Sequence, residues 1–476
     1  MRDEPRPLAS PASSATEVAD TYGKERIAPD KHDPTTWSAA WRWTLVLTCC
    51  LISFLAGIDA TSITSGLTQI AERYSIDDSS FQCTYFTVTA WSTGAAIIPL
   101  FILPLMEEFG IRKYYLAIYV LFMCWIASAA LSPNFGSLVV FRFLAGSCGG
   151  ALQNVLDGIA ADVWKDDIGR RTESLTVYTF CLVGGVTFGP VFGGVITRYL
   201  YWRWIFYIEL IIYGSLLPCL LVIMRDTRPR SESSKSHNVK DLGSIFNETV
   251  LRSARMLLTD PTIFTFTLWS SFCFGTVFLF TQSVIQVFDT LYSWDESSAG
   301  IVQIAVVIGE VLGYLACLFQ NRYLYPLSAK TNSSRSYEPV YEGRLYLSVF
   351  GSLLGLTGGY FVYAWTSYPS LPWIAPTFGM ALVGFGVMTV VQAVVCYITD
   401  AYADRAASAV AANAFGENMF AAWLPLATLK MYSSDVGMGL HWASSFLGFL
   451  GLLLSCVPVV LIFIGPKLRS KRREKV

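Results

Sequence analysis

Twelve separate apolar runs dominate the chain, at 42–66, 82–105, 114–132, 137–162, 174–199, 203–224, 262–288, 298–320, 344–365, 373–399, 406–429 and 440–465. A helix needs roughly 20 apolar residues to cross a bilayer, and each run meets that length. Lipid offers the backbone no hydrogen-bond partners, so runs of this length are expected to be helices. Composition points the same way: 14% of residues are charged and 53% hydrophobic, whereas soluble domains carry about 25% charged residues. The expected fold is therefore all-α, a polytopic membrane protein of twelve transmembrane helices. A charged, Ser-rich stretch, 225–260, divides the spans into two six-helix halves, 42–224 and 261–466. Parallel halves of this kind commonly hold nested inverted repeats. Residues 1–41 read as a disordered polar tail, and 467–476 as a basic one.

Lys and Arg set the orientation, since they concentrate on the cytosolic side. With both termini cytosolic, 29 of the 34 basic residues fall in cytosolic segments. The outer loops then hold only Arg73, Arg198, Arg203 and Lys430. One misplaced span would invert every later loop, so this asymmetry also supports the span count. The N-terminus lacks the pattern of a cleavable signal peptide. Cysteines sit almost entirely within apolar runs, so no disulfide is expected, and neither they nor the three histidines show metal-ligand spacing. No phosphate-binding G-x-x-x-x-G-K-[ST] loop occurs. No cofactor, no metal, no nucleic-acid partner and no catalytic constellation are expected.

Charges inside a membrane cost at least about 2.5 kcal/mol on insertion scales, so each marks a functional candidate. They are Asp59 in span 1, Arg142 and Asp157 in span 4, Glu209 in span 6, Glu310 in span 8 and Glu417 in span 11. Arg142, Gly146, Gly149, Gln153 and Asp157 share one helix face by their spacing. That face, with Asn154 beside it, is expected to line a central cavity. Asp59 and Arg142 lie at similar depths below the outer ends of their spans, so they are expected to face each other, with Asp59 as the protonation site. Glu310, mid-span among small residues, is a second candidate for proton coupling. Asn413 and Glu417, one turn apart, are expected to line the other half of the cavity.

Gly185, Gly189-Pro190 and Gly193-Gly194 form a G-x-x-x-G-P-x-x-G-G stretch in span 5. Glycines so spaced let a neighbouring helix backbone come close. Proline frees a carbonyl that neighbours must satisfy. The full pattern resembles the fifth-span signature of proton-coupled export carriers of the major facilitator superfamily. FRFLAGSCGGALQ resembles that superfamily's fourth-span motif, which implies a proton-coupling role for Arg142. LPLMEEFGIRKYYL resembles its loop motif between spans 2 and 3, with Glu107, Gly110 and Arg112 matching, and Leu103 and Ile111 departing from the pattern. By that resemblance Glu107, Arg112 and Asp162 would form an inner gate that closes in the outward-open state. Further segments, among them EGRLYL (342–347) and YITDAY (397–402), resemble fungal twelve-span drug:proton antiporters. The resemblance runs from about 40 to 470.

The expected function is therefore a proton-coupled secondary transporter exporting drugs, toxins or secondary metabolites by alternating access, in partnership with protons and the lipid bilayer. Alternatives are an importer, an organic-anion or polyamine carrier, or a non-transporting membrane sensor. A monomer suffices, because one chain supplies both halves. The plasma membrane is the first expected location and the vacuolar membrane the second.

Overall fold

The computed structural model describes residues 34–78, 82–165, 167–227, 251–324, 341–402, 406–433 and 437–463. Among these, eleven helices are long and apolar enough to cross a membrane. In chain order they are α1 (Ala39–Tyr74), α2 (Cys83–Leu103), α3 (Ile111–Ala130), α4 (Phe135–Val163), α5 (Ile168–Tyr199), α6 (Arg203–Ile223), α7 (Pro261–Tyr292), α8 (Glu296–Leu324), α9 (Tyr341–Thr366) and α10 (Ile374–Ala401), closing with Gly439–Phe463. The run at 406–429 is also helical, as α11 (Ala406–Trp423) and two short continuations, Leu424–Ala427 and Thr428–Tyr432. It is less apolar than the others because Asn413, Glu417 and Asn418 lie within it. Gly439–Phe463 is thus α12, and each apolar run of the sequence corresponds to one helix. Residues 251–259, within the stretch read as a linker, are helical and lead into α7.

Local chemistry sets several helix starts. Ser38 accepts from Trp41 N at the head of α1, Asn134 and Ser137 form a capping box on α4, and Asp167 caps α5. Asp260 caps α7, with Pro261 in the first turn, where its missing N–H costs nothing. In α1 the α-helix gives way to a 3₁₀ segment at Ser62–Gly66 and resumes to Tyr74, so the span runs beyond the expected end at 66.

Packing repeats between the halves. In the first half α1 packs on α5, α2 and α3 on α4, and α3 on α6. In the second, α7 packs on α11, α8 and α9 on α10, and α9 on α12. The halves meet along two equivalent seams, α2 against α11 and α5 against α8. Helices α3, α6, α9 and α12 lie outside and present large apolar side chains such as Val120, Ile211, Val222, Phe350, Phe446 and Leu453. That exposure suits lipid, where an apolar surface needs no covering.

Candidate functional site: a buried charge network and midplane carboxyls

The glycine-rich stretch of α5 lies directly against α1. A Cβ on Gly185 would collide with the backbone of Phe54, on Gly189 with Thr61 and Ile58, and on Gly193 with Ser62. Gly57 of α1 returns the contact against Gly185 and Val186. Pro190 has no N–H for the Val186 carbonyl one turn earlier. Thr61 Oγ1 donates to that carbonyl at 2.6 Å, and Ser65 Oγ donates to the Pro190 carbonyl at 2.8 Å. The helix thus keeps its proline because α1 satisfies the freed backbone. Gly194 faces the other half, where a Cβ would meet the Ser297 carbonyl at 2.8 Å.

Close packing of α1, α2 and α4 brings Asp59 and Arg142 together. Arg142 Nη1 donates to Asp59 Oδ1 at 2.8 Å, and both side chains are fully buried. The guanidinium also donates to the Asp59 and Ala60 carbonyls at 2.8 and 3.0 Å and to the Thr87 carbonyl at 3.3 Å. Trp91 Nε1 donates to Asp59 Oδ2 at 2.7 Å, so both carboxylate oxygens are engaged. Arg142 also lies 5.7 Å from the centre of the Phe206 ring of α6. Ser62 Oγ donates to Glu209 Oε1 at 2.9 Å, tying α1 to α6 beside this pair.

The stripe headed by Arg142 does not line a cavity along its length. A Cβ on Gly146 would collide with the Trp91 carbonyl, and one on Gly149 would lie 2.9 Å from the Trp91 ring. Gln153 Nε2 donates to the Ser53 carbonyl at 3.2 Å. These residues are the seam of α4 against α1 and α2: regular spacing places residues on one face but does not say which neighbour covers it.

Asp157 and Asn154 are half-buried, and Asp157 Oδ1 has no hydrogen-bond partner among the described residues. Asp157 and Glu417 come one from each half, on α4 and α11. Glu417 Oε1 accepts from Ser270 of α7 and from Asn413 Nδ2 at 2.8 Å. Glu310 bridges the halves directly: Thr187 of α5 donates to its Oε1 at 2.5 Å, while its Oε2 is buried without a partner among the described residues.

Arg112 and Asp162 are not joined. Gly110 turns the chain with φ 101°, and Arg112 then meets the end of α6: its backbone N donates to Asp226 Oδ1 at 3.0 Å and its Nη2 to the Leu221 carbonyl at 3.3 Å. Asp162 accepts from Thr227 at 3.4 Å. The side chain of Glu107 lies outside the described residues.

Sequence reading missed a three-residue link between the halves. Asp400, at the end of α10, receives Arg171 of α5 at 2.6 Å and Arg344 of α9 at 3.1 Å. Arg344 also donates to Thr172 Oγ1 at 2.9 Å and to Asn321 Oδ1 at 3.0 Å. The signal was the charge carried by EGRLYL and YITDAY at span ends. At the opposite face the halves join through Thr68 N to Glu296 Oε2 (3.3 Å), Thr197 to Ser297 (3.3 Å) and Tyr85 to Thr281 (3.1 Å).

Two packed six-helix halves, buried charges at their centre and polar links between them at both faces define a membrane carrier. Residues 49–425 match the family model of the Major Facilitator Superfamily, and the chain belongs to that family of transporters. Among its relatives are the MFS transporter cpaT of Aspergillus oryzae, 29% identical over 94% of this chain and 91% of that protein, and the MFS-type transporter penM of Penicillium rubens, 26% identical over 94% and 89%. The efflux pump radE of Floropilus chiversii is 27% identical over 94% of this chain and 84% of its own. The fold is shared with the proton:xylose symporter XylE, at 16% identity and TM-score 0.62 over 89% of this chain and 96% of that one. It is also shared with the human organic anion transporter MFSD10, at 15% identity and TM-score 0.62 over 88% and 99%.

Proposed function

We propose that this chain is a proton-coupled exporter of small organic molecules, drugs, toxins or secondary metabolites, working by alternating access. The observation that carries the reading is the fully buried Asp59–Arg142 pair at 2.8 Å. A buried ion pair is weak evidence for stability, because desolvation offsets attraction. Its place in a membrane carrier is better accounted for if the aspartate takes up and releases a proton as the arginine moves. Glu310, hydrogen-bonded to Thr187 across the halves, is the second coupling group. Protonation of Glu310 would change the bond that joins α5 to α8.

Substrate would bind between the halves, against Asn154, Asp157, Asn413 and Glu417, with Gln153 holding α4 in position behind them. The halves, 42–224 and 261–466, would rock about that level, opening the Asp400 link at one face and the Glu296 and Thr281 contacts at the other. Arg112, with Glu107, Gly110 and Asp162, would move with the face that holds Asp400. The relative named an efflux pump supports the outward direction. Both termini would be cytosolic, in the plasma membrane first and the vacuolar membrane second, with one chain as the working unit.

The test is accumulation of labelled hydrophobic drugs and fungal metabolites in pump-deficient yeast expressing the chain. The expected result is lower accumulation of at least one compound, abolished by a protonophore and by Asp59→Asn. Higher accumulation would make it an importer, and protonophore-insensitive efflux would remove the proton.

A further inference from the structure

We propose that Glu209 is a further proton-binding group besides Asp59 and Glu310, a neutral carboxyl that shares one proton with Asp59 beside Arg142. Two carboxyls and one guanidinium form this network, and all three are buried. If both acids were ionised, one negative charge would stand uncompensated in a buried site, which is strongly unfavourable. The bonding pattern says which acid carries the proton. Asp59 receives an N–H on each oxygen, one of them charged, from Arg142 and Trp91. Glu209 receives a single hydroxyl, from Ser62, on Oε1. Its Oε2 is buried with no hydrogen-bond partner among the described residues, and Asp59 lies one turn before Ser62 on the same helix, α1. A proton on Oε2 converts that orphaned acceptor into a donor and removes the uncompensated charge.

The titratable and charged groups around Glu209 are Asp59 of α1, Arg142 of α4, Tyr213 on its own helix, and Tyr115 and Tyr119 of α3 behind Tyr213. Arg142 is the one cation among them. Transfer of the proton from Glu209 Oε2 to Asp59 leaves the net charge at zero, since the new Glu209 carboxylate then balances Arg142. Ser62 opens the 3₁₀ segment of α1. Such a segment within a helix often marks a hinge, and rotation there would withdraw the hydroxyl and set which acid holds the proton.

For its use in transport this inference rests on the proton-coupled reading, but the proton itself is detectable without substrate. Infrared difference spectra of the purified full-length protein in lipid nanodiscs, taken across a pH titration, read the carbonyl stretch of protonated carboxyls. One such band is expected to disappear in Glu209→Gln and to persist, with a moved midpoint, in Ser62→Ala. A band unchanged in Glu209→Gln but lost in Asp59→Asn would assign the proton to Asp59 alone and overturn the proposal. If Glu209→Gln does not fold, an unmoved midpoint in Ser62→Ala would overturn it equally. Yeast efflux that ignores a protonophore, together with a band lost in Glu209→Gln, would refute the coupling and leave the site standing.

Discussion

Arg142→Leu is expected to abolish transport and to destabilise the protein by about 3–5 kcal/mol, the usual cost of removing one partner from a buried ion pair. The substitution strips Asp59 of its charged donor and leaves the Asp59, Ala60 and Thr87 carbonyls without the N–H groups they accept. Asp59→Asn should cost less stability than Arg142→Leu but not nothing, because its amide oxygen still accepts from Arg142 while its NH2 faces the Trp91 N–H, and it should remove proton coupling completely. The double variant Asp59→Leu/Arg142→Leu should recover part of the lost stability and none of the transport, since apolar replacement of a whole buried pair is often neutral. Thermal unfolding of the purified variants, read beside efflux, checks all three. An Arg142→Leu protein as stable as the parent would mean that the pair is not the buried tie described here.

Gly189→Val and Gly185→Val are expected to be nearly as damaging, for a steric reason. Gly185→Val would drive a side chain into the Phe54 backbone, and Gly189→Val into the Thr61 hydroxyl with the Ile58 carbonyl behind it. Overpacking typically costs about 1–3 kcal/mol. Backbone cannot rotate away as a side chain can, so Gly185 should lie at or above that range. At Gly189 the Thr61 hydroxyl can move only by giving up its bond to the Val186 carbonyl, and the Ile58 carbonyl still blocks the space. The control is Gly184→Ala on the same helix, where the nearest atoms to an added Cβ are 3.7–3.8 Å away. The glycine variants should lose yield and melting temperature while Gly184→Ala matches the parent. Equal behaviour of Gly189→Val and Gly184→Ala would contradict the seam.

The sequence made the helices and this seam legible because both depend on local pattern, apolar length in one case and glycine spacing in the other. The pairing of Asp59 with Arg142 also followed from the sequence, although the apolar run of span 1 ends at 66. The helix continues to Tyr74 because a 3₁₀ turn carries it past Ser62–Gly66. What failed were inferences that needed a neighbour's identity. Gly146 and Gly149 share a face with Arg142, but only the fold shows that Trp91 fills the space against them. Arg112 was expected beside Glu107 and Asp162, but after the turn at Gly110 its backbone N meets Asp226 and its guanidinium the Leu221 carbonyl. The Arg171–Asp400–Arg344 link joins α5 to the consecutive helices α9 and α10, and Arg171 stands 229 positions from Asp400, so no single motif could display it.

The central claim is that a proton bound in this buried network drives substrate the other way. The most direct measurement uses proteoliposomes with an acidic lumen, an imposed pH gradient and the compound that the yeast assay identifies. The account predicts uphill accumulation of that compound in the acidic lumen, collapsed by a protonophore and absent in Asp59→Asn. Accumulation that requires an acidic exterior instead, or that ignores the gradient, would contradict it.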